Sequence, residues 1–170
     1  MKRFSVIVSI IILLCCCTRQ SAQLPSNKAT ISDEKMDMMT YNKMCIEAEM
    51  AEIGAYLDSS SVEFIKSDAG YWYKVVNSNK GTKVNDIVTI SGTVQVLGGT
   101  PCKELDSLTL RLGKRDHTKV LDLALANAHV GDEIWIISPS SLAYGIKGIS
   151  NCITSRTPVL YKIKVLKTNE

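Results

Sequence analysis

Two hydrophobic periods divide this chain. From Met36 to Leu57 apolar residues recur three and four positions apart: Met36, Met39, Ile46, Met50, Ile53 and Leu57, with Lys43 in one slot of the series. That spacing predicts one apolar stripe on a helix of about 25 residues. Ser32 or Asp33 is its expected N-cap, Glu34 lies in its first turn, and "DSSS" (Asp58 to Ser61) ends it. From Gly70 onward the period falls to two. "YWYKVV" (Tyr71 to Val76), "IVTISGTVQVL" (Ile87 to Leu97), "SLTLRLG" (Ser107 to Gly113), "EIWIIS" (Glu133 to Ser138) and "PVLYKIKVL" (Pro158 to Leu166) read as five strands. Gly98-Gly99 closes a hairpin between the second and third. Pro158, at the start of the last strand, removes no interior ladder bond. Between the third and fourth strands Val120, Leu121, Ala124, Leu125 and Ala128 share a face of one short helix, which Gly131 ends. The whole is an α+β pattern.

The stripe on the long helix must be covered by something. One reading packs it on the domain that follows. The other pairs it with a second copy through residues 36–57, since its spacing is also heptad-like. The methionines give an adaptable surface in either case.

Ahead of the helix the pattern changes again. Lys2 and Arg3 make a basic start, and Phe4 to Cys17 carries no charge. That apolar run is shorter than the ~20 residues a helix needs to cross a bilayer and fits a secretory signal. It ends "LLCCCTRQ", which resembles a bacterial lipobox: Leu14 stands three residues before Cys17, the cysteine expected to be acylated. Cys16 with Leu13 is the alternative, and a plain signal anchor with cysteines as small apolar filler is the other. The organisation expected is a signal over 1–16, a polar tether over 17–30, the amphipathic helix over 31–60 and a domain over 69–168. The protein would then be a membrane-anchored lipoprotein facing the periplasm or the cell surface.

Composition narrows the partners. Apolar residues make up 45% and charged residues 22% of the 170, ordinary values for a globular chain. The 20 basic and 17 acidic residues give +3, and removing Lys2 and Arg3 with the signal leaves 18 against 17. No block of like charge stands out, so nucleic acid is not an expected partner. His117 and His129 lack a cysteine or aspartate at ligand spacing, so no metal is expected. No phosphate loop, serine elbow or cysteine nucleophile motif occurs, and no cofactor is expected. Beyond the anchor stand Cys45, Cys102 and Cys152, an odd number that leaves at least one unpaired within the chain.

Four segments, in order, carry a resemblance. "DIVTISGTVQV" resembles a strand that normally reads Val-x-Tyr-x-Gly, and "LDLALANAHVGD" a Leu-Asp-x-Ala-Leu helix. "HVGDEIWIISPSSLAYGIKG" resembles a segment in which a helix ends at Val-Gly-Glu, a strand runs to Ile-Pro and Leu-Ala-Tyr-Gly follows. "PVLYKIKVLK" resembles a closing strand with a Leu-x-Phe pair. The family is the FKBP-type peptidyl-prolyl isomerases, and the match runs from Gly70 to Lys167. With the helix and anchor in front, the chain also resembles the family's gliding-motility-associated lipoprotein branch. The resemblance implies an antiparallel sheet of five to six strands wrapped around one short helix, with a pocket between them. The implied ligand is a proline-containing protein segment.

The implied chemistry is modest. Rotation about a peptide bond crosses a barrier of ~18–20 kcal/mol, and an X-Pro bond turns in tens to hundreds of seconds unaided. The twisted imide is less polar than the planar one, so a dry apolar pocket favours it. One hydrogen bond positions the segment while the bond turns. By the resemblance, Tyr144 offers that hydroxyl to a substrate carbonyl. Leu142 and Ile153 match rim positions, Val159 and Tyr161 the inward pair of the last strand, and Leu121 the pocket floor. For these aliphatic residues plain core is the competing reading.

Several positions depart from the family pattern. Ile90 stands where tyrosine is usual, Tyr161 where phenylalanine is, and Val120 replaces a glycine. His117 and Thr118 fall where a Val-Ile pair is typical, and Leu105-Asp106 is the nearest counterpart of a Phe-Asp pair. The floor is smaller and less aromatic, which leaves open a module that binds prolyl segments, as a chaperone would, with little turnover. In the family fold the regions of Cys102 and Cys152 approach each other across the pocket mouth, so a disulfide is implied there, with two buried free cysteines as the alternative.

Overall fold

The computed structural model describes residues 37–79 and 81–169. The signal segment, Cys16, Cys17, the tether, and Ser32 to Met36 lie outside them.

Helix α1 runs Met38–Ser59. Good helix formers fill it, and a Lys43–Glu47 pair one turn apart (3.8 Å) adds little because both side chains are exposed. Ser59 Oγ donates to the Tyr56 carbonyl at the helix end. The apolar stripe divides along its length. Met39 (78% exposed) and Ile46 (58%) face solvent, whereas Ile53 is 1% exposed. Only the C-terminal half docks on the sheet.

Six strands follow: β1 (Ile65–Lys66), β2 (Trp72–Asn77), β3 (Ile87–Val96), β4 (Pro101–Arg111), β5 (Glu133–Ser138) and β6 (Val159–Thr168). They form one antiparallel sheet in the order β1-β2-β5-β6-β3-β4. Helix α2 (Lys119–Leu125) lies against its inner face. Alternation along β5 and β6 sorts their side chains. Ile134, Ile136, Tyr161 and Ile163 go to the inner core, while Ile137 and Leu160 meet Ile53 of α1 outside. Gly92 lets β3 lie against β6; a Cβ there would strike the Lys162 carbonyl.

Three expectations are corrected. The third long strand begins at Pro101, not Ser107. Its register slips between Ile90/Leu108 and Gly92/Leu105, and Ser107 has φ +47°, so one extra residue bulges out. The bulge breaks the alternation that sequence reading follows. Helix α2 stops at Leu125 instead of running to Gly131, because the Ala128 carbonyl pairs with Val84 N–H (2.8 Å) and His129 bridges Lys83. Ala128 is buried by that bridge. The two-residue strand β1 was not expected at all: Ile65 and Lys66 are both exposed and leave no period to read.

Candidate functional site

The inner face of β6 centres on Tyr161, fully buried opposite Val94 on β3 and Ile136 on β5. A phenol cannot be buried without a partner at low cost. Its hydroxyl lies 3.1 Å from Thr118 Oγ1. Thr118 is the N-cap residue of α2, yet it makes no side-chain capping bond. The hydroxyl that would ordinarily take a helix N–H turns instead to Tyr161. Val120 and Leu121, the next turn of the same helix, are buried beside it.

Over Tyr161 lies Tyr144, half-buried and stacked with ring centroids 6.2 Å apart at 23°. The loop from Ser138 to Gly148 places it. Leu142 N–H donates to the Pro139 carbonyl (3.1 Å) and closes a short 3₁₀ turn over Ser140–Leu142. Ala143 and Gly145 N–H both donate to the Ser140 carbonyl, at 2.9 and 2.8 Å, and Gly148 N–H to the Tyr144 carbonyl at 3.1 Å. The chain then folds back on itself: Ile149 and Ile153 exchange backbone bonds of 2.7 and 3.0 Å. Gly148 permits this, since a Cβ would strike the Ile153 carbonyl. Ile153 is thereby pressed into the core at 2% exposure. Its neighbour Cys152 is joined to Cys102 on β4 in a disulfide, Cα atoms 5.4 Å apart. Lys103, next in β4, holds its ammonium 5.5 Å from the Tyr144 ring centroid.

Burial pushes the Tyr144 phenol above its ordinary value, and the neighbouring Tyr161 hydroxyl partly offsets this. Burial first, and then Tyr144, raises Tyr161 further. Both phenols therefore stay protonated at neutral pH, and Tyr144 keeps an O–H to donate. His117 is held below its ordinary value by burial and by Lys103, against the opposing pull of Asp116 and Asp122. It is neutral at the same pH.

Ile90, Leu105, Val120, Leu121, Ile153, Val159 and Tyr161 join in one buried cluster, with Leu142 and Tyr144 packed on it from the edge. Asp106 does not join them: it lies at the bulge of β4 and points to solvent. Thr118, Lys103 and Glu49 are contributors that sequence reading left without a role. Thr118 carried a signal. Polar atoms appear at both Thr118 and Tyr161, where the resembled family is apolar, and a pair of such changes suggests mutual contact. Glu49 carried none: it is an acidic residue beside the apolar stripe, between Ile46 and Ile53, with no partner near it in sequence. No side chain here is poised as a nucleophile or general base. Among the described residues no three His, Cys, Asp or Glu side chains converge as a metal would need. What the arrangement offers is the edge of an apolar cluster, one part-exposed protonated phenol and a cation beside it.

A family model described as FKBP-type peptidyl-prolyl cis-trans isomerase matches residues 78–166. Among solved structures, the fold is similar to a peptidyl-prolyl cis-trans isomerase from Pseudomonas syringae pv. tomato. That match has 17% identity and a TM-score of 0.64, and covers 76% of this chain and 96% of that one. It is also similar to AtFKBP13, with 18% identity, TM-score 0.59, and 64% and 100% covered. FkpA from Escherichia coli is a third, with 22% identity, TM-score 0.58, and 76% and 62% covered. No curated protein matches the sequence.

Proposed function

This chain belongs to the FKBP-type peptidyl-prolyl cis-trans isomerase family, and from that premise we propose that it turns prolyl bonds of proteins outside the cytoplasm, at Tyr144. One observation carries the site: a protonated, half-buried phenol at the edge of a closed apolar cluster. The Tyr144 hydroxyl holds a substrate carbonyl while the prolyl ring rests against Leu142 at the edge of the cluster, with Ile153 and the Tyr161 ring backing that edge from within. The walls favour the less polar twisted imide over the planar one. No proton is transferred and no covalent bond changes.

The Cys102–Cys152 disulfide supports an oxidising compartment. Together with the basic-then-apolar start and the cysteine run, it supports a lipoprotein of the gliding-motility-associated type acylated at Cys17. The exposed Met38, Met39, Met44 and Ile46 of α1 support a homodimer through residues 36–57. Sedimentation of the chain with and without Met38→Lys and Met39→Lys tests that pairing.

A second reading keeps the fold and weakens the chemistry. Tyr161 is fully buried with its hydroxyl tied to Thr118, and Val120 fills floor space where the family pattern has glycine. Such a floor suits a module that grips extended prolyl segments with little turnover. A protease-coupled prolyl-peptide assay separates the two. Turnover by the wild type, cut about tenfold in Tyr144→Phe, is expected if one hydrogen bond of ~1–1.5 kcal/mol is lost from the transition state. A wild-type rate equal to background would reject the isomerase reading in favour of the binding module.

A further inference from the structure

Helix α1 lies outside the residues matched to the family, yet it reaches the loop that carries Tyr144. Its residue Glu49 is 8% exposed. Both carboxylate oxygens go to one residue: Oε1 accepts the Ser140 N–H, and Oε2 accepts the Ser140 hydroxyl at 2.9 Å. Ser140 in turn presents its carbonyl to the amides of Ala143 and Gly145, the residues on either side of Tyr144. A second tie comes from two turns earlier on the helix. Asn42 Oδ1 accepts from Arg156 Nη2 at 2.8 Å, and the backbone N–H of Arg156 donates to the Gly145 carbonyl at 2.9 Å. Both ends of the Tyr144 turn are thus referred to one helix face.

Covering the outer face of the sheet does not require a carboxylate. Ile53 already meets Ile137 and Leu160 there, and an apolar side chain at position 49 would avoid desolvating a charge. Nor does apolar packing join α1 to the loop at this point, because beside Glu49 the helix and the loop border an open cavity of about 540 Å³. The loop is tied to α1 by directed hydrogen bonds, which set position more sharply than apolar contact does.

We propose that Glu49 is a positioning residue for prolyl isomerisation: it fixes the 3₁₀ turn at Ser140 and, through it, the place of the Tyr144 phenol. The proposal rests on the assignment of Tyr144 to the site. It makes α1 part of the catalytic apparatus of the domain, beyond covering the sheet.

The test uses the full chain and compares Glu49→Ala, Glu49→Gln and Tyr144→Phe in the prolyl-peptide assay. Thermal unfolding and the amide resonances of Ser140, Ala143 and Gly145 are followed for each. Glu49→Ala is expected to lower kcat by up to about tenfold, no more than Tyr144→Phe, with a smaller change in KM, since a small displacement of an orienting group weighs on the transition state. Its amide shifts should centre on Ser140 to Gly145. Glu49→Gln is expected to restore most of the rate: its carbonyl can accept the Ser140 N–H while its amide donates to the Ser140 hydroxyl. A rate loss that tracks the unfolded fraction, or that glutamine does not restore, would overturn the positioning role. If Tyr144→Phe loses activity and Glu49→Ala does not, the role fails and the site stands. If Tyr144→Phe is silent, the site assignment fails and takes the positioning role with it.

Discussion

Strands β5 and β6 are covered on both faces, and the two faces are built differently. Inward, Ile136, Val159, Tyr161 and Ile163 meet α2 and the rim loop in a cluster that also takes in β3 and β4. Outward, the buried apolar cluster among the described residues is Ile53, Ile137 and Leu160, ringed by half-exposed Trp72, Trp135, Tyr56 and Leu57. The inner face also carries a disulfide at its rim and a buried phenol hydroxyl paired with a part-buried threonine. The outer face is held at its edge by one buried carboxylate on one serine. Burial inside builds the domain and its apolar site. Burial outside is thinner and more directional, suited to locating one helix against one loop.

The largest break of that comparison is covalent. Cys102→Ala with Cys152→Ala removes a crosslink between residues 50 apart. By the loop-entropy estimate this costs about 4 kcal/mol, a fall in Tm on the order of 10 °C by calorimetry. The released segment carries Ile153, so turnover should fall as well. A double variant that melts with the wild type would show that the rim holds itself without the bridge.

Next come matched truncations on the two faces. Leu121 and Ile53 are each 1% exposed. Leu121→Ala opens a cavity enclosed on all sides and is expected to cost about 3 kcal/mol in denaturant unfolding. Ile53→Ala lies under a helix that can settle inward, and should cost about 2 kcal/mol, because the penalty grows with the cavity that remains. The reverse order would mean that the outer face is the better packed one.

How much of this was legible before the fold was seen depends on which signal each part leaves. β3, β5 and β6 announce themselves as short runs rich in β-branched and other apolar residues. β4 is half visible: the bulge at Asp106-Ser107 adds a residue, and Leu105 falls out of step with Leu108 and Leu110. The buried residues gathered around Tyr161 were readable as core for the same reason as the strands. Asp106 was misplaced by that bulge, which turns it outward. Glu49 was illegible. An acidic residue in an amphipathic helix reads as solvated, and only a partner 91 positions away gives it a reason to be buried. The stripe on α1 was real but overextended, since periodicity shows which residues share a side and not how far along the helix a surface exists to meet them.

A smaller test concerns the paired hydroxyls of the inner face. Thr118→Val leaves the buried Tyr161 hydroxyl short of a partner and is expected to cost about 1.5 kcal/mol. Tyr161→Phe should cost less, because threonine at the edge of the cluster can turn its hydroxyl to the α2 backbone or to water. The double variant should cost well under the sum of the two, since neither group is then left unpaired. Additive losses, measured by equilibrium unfolding, would show that the 3.1 Å contact carries no coupling.

The smallest effect is one of pH, and it too belongs to the inner rim. His117 sits below its ordinary 6.5, through burial first and the Lys103 ammonium second, with Asp116 and Asp122 pulling the other way. The folded chain therefore takes up its proton later than the unfolded chain does. Wherever the unfolded state binds more protons, stability rises with pH. The contribution of His117 is thus complete above about 6.5 and is lost as the pH falls through its folded value. Most carboxylates titrate lower, near 4, so the upper part of that window isolates the histidine. Tm followed from pH 7.5 downward should begin to fall below 6.5 in the wild type, and His117→Gln should flatten the onset. Lys103→Met should shift the wild-type onset to lower stability loss, because one of the two causes holding the imidazole neutral is gone. A His117→Gln profile that coincides with the wild type would place the rim histidine in water, free of both the ammonium and the apolar wall.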